Sequence, residues 1–161
     1  MHIVKNDNQF LTFYVSDEIY ALSVLNIKEI IEYSKVTKVP LMDSCISGIT
    51  NIRGSVIPLI NLAERMHHEK NKEINKRTSI IVIEKEDPIK NFQVGLIVDE
   101  VNKVYEILNQ EQEDAPTFGS KIRKEYIEHI AKINGTFIPI LNSDHIVNIE
   151  ELSQIIERDE I

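Results

Sequence analysis

The sequence predicts a mainly β protein made of two small, similar barrels of about five short strands each, with short helices and a closing C-terminal helix. Three observations carry this. Tryptophan is absent and aromatics make up only 6% of the 161 residues, so the core rests on Ile, Val and Leu, a composition suited to pleated strands. Gly, Pro and Asn break the apolar runs into short pieces. Finally, the stretch "ISGITNIRGSVIPLIN" (46–61) returns as "IEHIAKINGTFIPILN" (127–142).

The repeat is measurable. At a shift of 81 residues, Ile46, Ile49, Ile52, Gly54, Ile57, Pro58 and Asn61 fall on Ile127, Ile130, Ile133, Gly135, Ile138, Pro139 and Asn142. Isoleucines match by chance in an Ile-rich chain; the glycine, proline and asparagine do not, because they mark backbone positions. Upstream the shift is 74, pairing Leu22 with Leu96, Val24 with Val98 and Glu32 with Glu106. A longer acidic loop around 107–121 absorbs the difference. Each half is too small to be stable alone, so the two should pack together. The expected extents are a flexible terminus over 1–9 and one domain over 10–156. Within it the first barrel lies mainly in 18–66, the second mainly in 78–147, and a helix in 148–157.

Taken in order, "FLTFYV" (10–15) is a strand and "SDE" its turn. "IYALSVLNIKEIIE" (19–32) starts as a strand; from Val24 the apolar spacing at Ile27, Ile30 and Ile31 predicts a short amphipathic turn or helix. "SKVTKVP" (34–40) reads as an edge strand ended by Pro40. "CISGITNI" and "SVIPLINL" are two strands joined at Arg53-Gly54, where Gly54 suits a tight hairpin. Asn61 and Glu64 resemble a capping box for a helix over 62–66. After a polar connector (67–77), residues 78–101 form a hairpin around "EKEDPIKN", and 102–114 continue the sheet. Asn148 and Glu151 resemble a second cap.

A net charge of −8 and a pI near 5.1 oppose binding to phosphate backbones or anionic membranes, since no basic patch offsets them. Cys45 is the only cysteine, which rules out an internal disulfide or a multi-cysteine metal site. It lacks the His-plus-acid context of a nucleophile. His67 and His68 are adjacent and project apart, so no metal site is expected there. No phosphate loop, nucleophile elbow or kinase signature is present. "MHIVKNDNQF" lacks the apolar segment of a signal peptide, and no apolar run reaches the roughly 20 residues needed to span a bilayer. A cytoplasmic protein without catalytic residues, metal or cofactor is expected.

The repeat also separates scaffold from specialisation. Shared positions belong to the fold. Arg53 aligns with Asn134, Asn51 with Lys132 and Gly48 with His129. The first half thus carries an "N-x-R-G" element that the second half does without. From residues alone Arg53 is equally a docking residue or a surface arginine satisfying loop carbonyls. Its planar fork suits a carboxylate or backbone carbonyls on a partner. Gly48 and Gly54 serve backbone conformation, and Asn51 is either a contact or a turn-stabilising amide.

"ISGITNIRGSVIPLINL" resembles the hallmark of the CheW-like adaptor family of bacterial chemotaxis, roughly G-x-x-N-x-R-G-x-x-x-P-x-x-D-L. "FYVSDEIYALSVLNIKEIIE", "VGLIVDEVNKVYEI" and "YIEHIAKINGTFIPIL" continue the likeness over about 10–156, in order. The resemblance implies two intertwined five-stranded SH3-like barrels, no catalytic activity, and a scaffold joining transmembrane chemoreceptors to the histidine kinase CheA. The receptor's helical tip would dock in the groove between barrels. The kinase would dock through its own regulatory CheW-like domain at the membrane-associated receptor cluster, and self-association in ring arrays stays open. The docking residues expected on this chain are Arg53, Asn51, Gly54, Gly48, Ile49, Val36, Ile27, Ile30 and Glu29, with Val36, Ile49, Ile27 and Ile30 as an apolar groove for a partner helix. Asn61 departs from the usual Asp; both cap helices well. His129 stands where glycine is common, and its effect on the second turn stays open. Two other readings stay open: a small-ligand-binding β-barrel protein or enzyme using the interbarrel groove, and an adaptor of a pilus or other non-flagellar chemosensory pathway.

Overall fold

The computed structural model describes residues 7–34, 36–37, 46–66, 72–86, 91–114 and 124–147. These form eleven strands: β1 (Gln9–Val15), β2 (Glu18–Ser23), β3 (Ile27–Glu32), β4 (Gly48–Ile52), β5 (Ser55–Asn61), β6 (Ser79–Lys85), β7 (Phe92–Val98), β8 (Glu100–Glu106), β9 (Gln112–Glu113), β10 (Ile127–Ile133) and β11 (Thr136–Leu141). Two one-turn helices follow β5 and β11: α1 (Leu62–Arg65) and α2 (Ser143–Ile146). Cys45, His67, His68 and the expected helix over 148–157 lie outside the described residues.

The strands make two sheets, ordered β8-β1-β2-β11-β10-β9 and β3-β6-β7-β5-β4. Replacing each strand of the second by its repeat mate (β3 by β8, β6 by β1, β7 by β2, β5 by β11, β4 by β10) reproduces the first five of the other. The halves have therefore exchanged hairpins. β1–β2 completes the sheet holding β8, β10 and β11, while β6–β7 completes the sheet holding β3, β4 and β5. With the exchange, 18–66 holds β3, β4 and β5 of one sheet and 78–147 holds β8, β9, β10 and β11 of the other, and each sheet takes its remaining hairpin from outside that range. The exchange also moves residues 102–114 away from the β6–β7 sheet. The exchange needs a parallel joint in each sheet, β5 with β7 and β11 with β2.

The burial pattern follows from the exchange. Ile57, Leu59, Ile80, Val82 and Ile97 pack together within one sheet, and Phe10, Ala21, Ile107, Ala131, Ile138 and Ile140 within the other. The largest cluster is shared: Phe13, Leu22, Leu62, Ile81, Leu96, Leu141 and Ile146 come from both. Apolar area buried in this common core opposes separation of the sheets.

Two local expectations change. The helix expected from Val24 is a three-residue 3-10 turn, Val24–Asn26, capped by the Ser23 hydroxyl. Ile27–Glu32 then extends, because the β-branched run Ile27, Ile30 and Ile31 pairs with β6 through a bulge. The strand expected over 34–40 is represented, among the described residues, by one bridge between Thr37 and Ile49.

Candidate functional site

Strands β4 and β5 pair from Gly48 with Leu59 to Ile52 with Ser55, leaving Arg53 and Gly54 as a two-residue turn. Both have positive φ, 52° and 85°, the type I′ geometry that matches strand twist and favours Asn-Gly. The second half uses that favoured pair: Asn134 and Gly135 have φ of 50° and 81°. Arginine at the first position is strained where asparagine is at ease. The turn holds because Asn51 Oδ1 accepts the Gly54 N–H at 3.0 Å.

The Arg53 guanidinium reaches Glu29 on β3, Nη2 to Oε2 at 3.1 Å and Nη1 to Oε1 at 3.4 Å. Arg53 is 78% exposed and Glu29 18%. So exposed an ion pair stabilises the fold little. It does aim the guanidinium, leaving donors in solvent at the hairpin tip. In the repeat Glu29 aligns with Lys103, so neither partner of the pair has a counterpart.

The sequence-predicted residues divide into groups. Arg53, Asn51, Gly54 and Glu29 are joined by direct contacts, and Ile30 follows Glu29 on β3, half-buried. Val36 and Ile49 are half-buried beside the Thr37 bridge at the outer edge of β4. Ile27 is only 3% exposed and belongs to the shared core; it packs inward instead of lining an open groove. Gly48 is buried too. A Cβ there would stand 2.7 Å from the Thr37 carbonyl oxygen, so the close approach of that backbone requires glycine at this position. Beyond His129 the second turn keeps the φ values of the first, with a register shift in β10 between Ile127 and His129; His129 Nδ1 lies 3.8 Å from Asp114 Oδ1.

Sequence reasoning missed Val56 and Phe137, repeat mates that are 63% and 58% exposed. The signal was available: with Ile57 and Leu59 inward, period-two alternation turns Val56 outward. Val56 opposes Asn51. Phe137 opposes Lys132, whose ammonium sits 5.7 Å from the ring centroid. Each hairpin thus presents one apolar side chain beside a polar one, with different chemistry.

Helix α1 begins as expected at Asn61, whose Oδ1 accepts the Glu64 N–H at 3.3 Å. The Asn61 N–H donates to Ser47 Oγ, so Ser47 takes the position expected of the Glu64 carboxylate. Among the described residues no group of three His, Cys, Asp or Glu side chains is placed to hold a metal ion, and no helix is long and apolar enough to cross a membrane.

A family model described as the CheW-like domain matches residues 9–151. The chain belongs to the CheW-like family. It is 33% identical to the chemotaxis protein CheW of Bacillus subtilis, with 91% of each chain covered. It is 32% identical to that of Thermotoga maritima, over 86% of this chain and 87% of the other. Among solved structures, the scaffolding protein TtCheW from Thermoanaerobacter tengcongensis matches with a TM-score of 0.78 and 29% identity, over 92% of this chain and 94% of that one. Asn61, the departure from the resembled motif's aspartate, makes the N-cap bond that an aspartate side chain also makes well.

Proposed function

We propose that this chain is a non-enzymatic chemotaxis adaptor that couples chemoreceptors to the histidine kinase CheA. Membership of the CheW-like family supports the role, and one observation carries its assignment to a surface. Arg53 occupies a left-handed turn position that the repeat fills with the better-suited Asn134. Strain kept where a cheaper residue serves the same turn marks selection for something other than folding. In this reading the Arg53 hairpin, with Glu29, Asn51, Ile30, Ile49 and Val36, meets the helical tip of a receptor. Arg53 contributes charge-assisted hydrogen bonds and the half-buried aliphatics contribute apolar contact. The kinase's regulatory domain and further copies of the chain occupy other faces. Ile27 and Gly48 support the surface from within.

The test is Arg53→Asn in an array reconstituted from receptor signalling fragment and kinase. Asparagine suits the turn, so the fold is kept; receptor co-sedimentation and kinase activation are expected to fall. Unchanged activation by a folded Arg53→Asn protein would remove Arg53 from the docking surface.

A further inference from the structure

The two halves of the repeat carry different chemistry at the end of the first strand of each exchanged hairpin. At the end of β6, Lys85 is 6% exposed, and its ammonium donates to Ser143 Oγ at 2.9 Å and to Asp144 Oδ1. The hairpin registers identify its mate. Leu11 opposes Leu22, and Ile81 opposes Leu96; since Leu22 matches Leu96, Leu11 matches Ile81 and Val15 matches Lys85. The N-caps Asn61 and Asn142 match as well, so Leu62 and Ala63 correspond to Ser143 and Asp144. Where one half has an ammonium, a hydroxyl and a carboxylate, the other has Val15, Leu62 and Ala63.

Beside these short side chains lies a cavity of about 370 Å³, with Val15, Ala63 and Ile97 in its wall, within the range of small-ligand pockets of about 300–1,000 Å³. Its wall also holds two carboxylates, Glu64 and Asp99, among neutral polar side chains. Asp99 Oδ2 accepts the Ser16 N–H at 2.7 Å, and Glu64 Oε2 accepts the Ser47 hydroxyl at 3.5 Å. A carboxylate offers about four acceptor sites, so both retain capacity beyond these bonds. Lys72, also in the wall, is paired with Asp17. Its ammonium pKa is pushed up by that hydrogen bond, against burial, with further help from the charges of Asp17, Asp99 and Glu100.

We propose that this cavity binds a primary ammonium on a short unbranched alkyl stem, the chemistry Lys85 supplies from within in the other half. The stem lies against Val15, Ala63 and Ile97, and the ammonium meets Glu64 and Asp99. Such a group comes either from a free alkyl amine or from a partner's lysine side chain.

The test titrates the full chain with 1,5-diaminopentane at an ionic strength of about 0.15 M, followed by amide NMR. Saturable shifts confined to Val15, Ala63, Glu64 and Asp99 and their neighbours are expected. Glu64→Gln should weaken them about tenfold, the scale of one charge-assisted hydrogen bond. Val15→Lys, which fills the cavity with an internal ammonium, should abolish them; if that variant fails to fold, Glu64→Gln decides alone. Non-saturating shifts spread over the surface, equal binding of 1-pentanol, or indifference to Glu64→Gln would each overturn the proposal. A second arm uses Nα-acetyl-lysine methylamide. Tighter binding than the diamine assigns the site to a partner's lysine, weaker binding to a free amine.

Discussion

Arg53 and Glu29 meet at 3.1 Å although Glu29 lies on β3, at one edge of its sheet, and Arg53 at the tip of the hairpin bearing β4, the other edge. The contact requires the sheet to curl until its outer elements come within one ion pair. Curling and specialisation coincide at Arg53, since its mate Asn134 keeps the same turn without the charge.

Stability and docking should therefore respond oppositely at this position. Arg53→Asn removes a weak exposed pair and relieves a left-handed arginine, so the protein should gain about 0.5–1 kcal/mol. Asn134→Arg should lose about the same, because the mate of Glu29 is Lys103 and offers no carboxylate. Urea denaturation of both variants checks this. A loss of stability in Arg53→Asn would mean that the arginine serves the fold.

Gly48→Ala tests the edge of the same sheet. The new methyl would meet the Thr37 carbonyl oxygen at 2.7 Å and Val36 Cγ1 at 3.0 Å, and backbone cannot give way as a flexible side chain can. A cost of about 1–3 kcal/mol is expected. The paired bonds from Thr37 N to Ile49 O and Ile49 N to Thr37 O, both 2.9 Å, should open first. Faster hydrogen exchange at these two amides, with β6 and β7 unaffected, is the signature. Uniform loss of protection would show that the edge is not a separate unit.

What could be read beforehand divides along physical lines. The Asn51–Gly54 turn, the Asn61 cap and the two matching hairpins are local, so their signals sit within a few residues. The hairpin exchange is not: β1 pairs with β8 over a separation of about 90 positions, and either pairing would bury the same alternating residues. Val24–Ile31 misled because its apolar spacing fits a helix, whereas pairing with β6 and the β-branched side chains decided for a strand. At the site, exposure separated Ile27 from Ile30, which periodicity alone does not resolve. The cavity was invisible for a related reason: residues as distant in sequence as Val15, Ala63 and Asp99 meet in its wall only in the fold.

Lys85 and Asp144 should show unequal dependence. The Lys85 side chain is 8% exposed and that of Asp144 is 85%. Lys85→Met removes the buried charge and leaves Asp144 in the water it already meets, a change expected to cost at most about 1–2 kcal/mol. Asp144→Ala strands the ammonium with Ser143 as a remaining partner, at a cost of about 2–4 kcal/mol. Chemical denaturation at neutral pH gives the order. If Lys85→Met proves the more damaging, the lysine stem contributes more by packing than by its charge.

Alkaline pH should reveal Tyr20. Its ring is fully buried in β2, and its hydroxyl donates to Glu18 Oε2 at 2.9 Å. Burial, then the Glu18 hydrogen bond and charge, raise the phenol pKa well above its ordinary value. The folded state therefore holds the proton more tightly than the unfolded chain, which releases it near pH 10. The resulting stabilisation is fully present below about pH 10. Above it, stability falls by up to about 1.4 kcal/mol per pH unit until the folded phenol also ionises. Tyr20→Phe loses a hydrogen bond worth about 0.5–1.5 kcal/mol at neutral pH, and it also loses this slope. Unfolding free energies at pH 8 and 10.5 should differ between the two proteins by a narrowing or inverted gap. Parallel profiles would show that the Tyr20 hydroxyl ionises alike in both states and that its burial carries no penalty for charge.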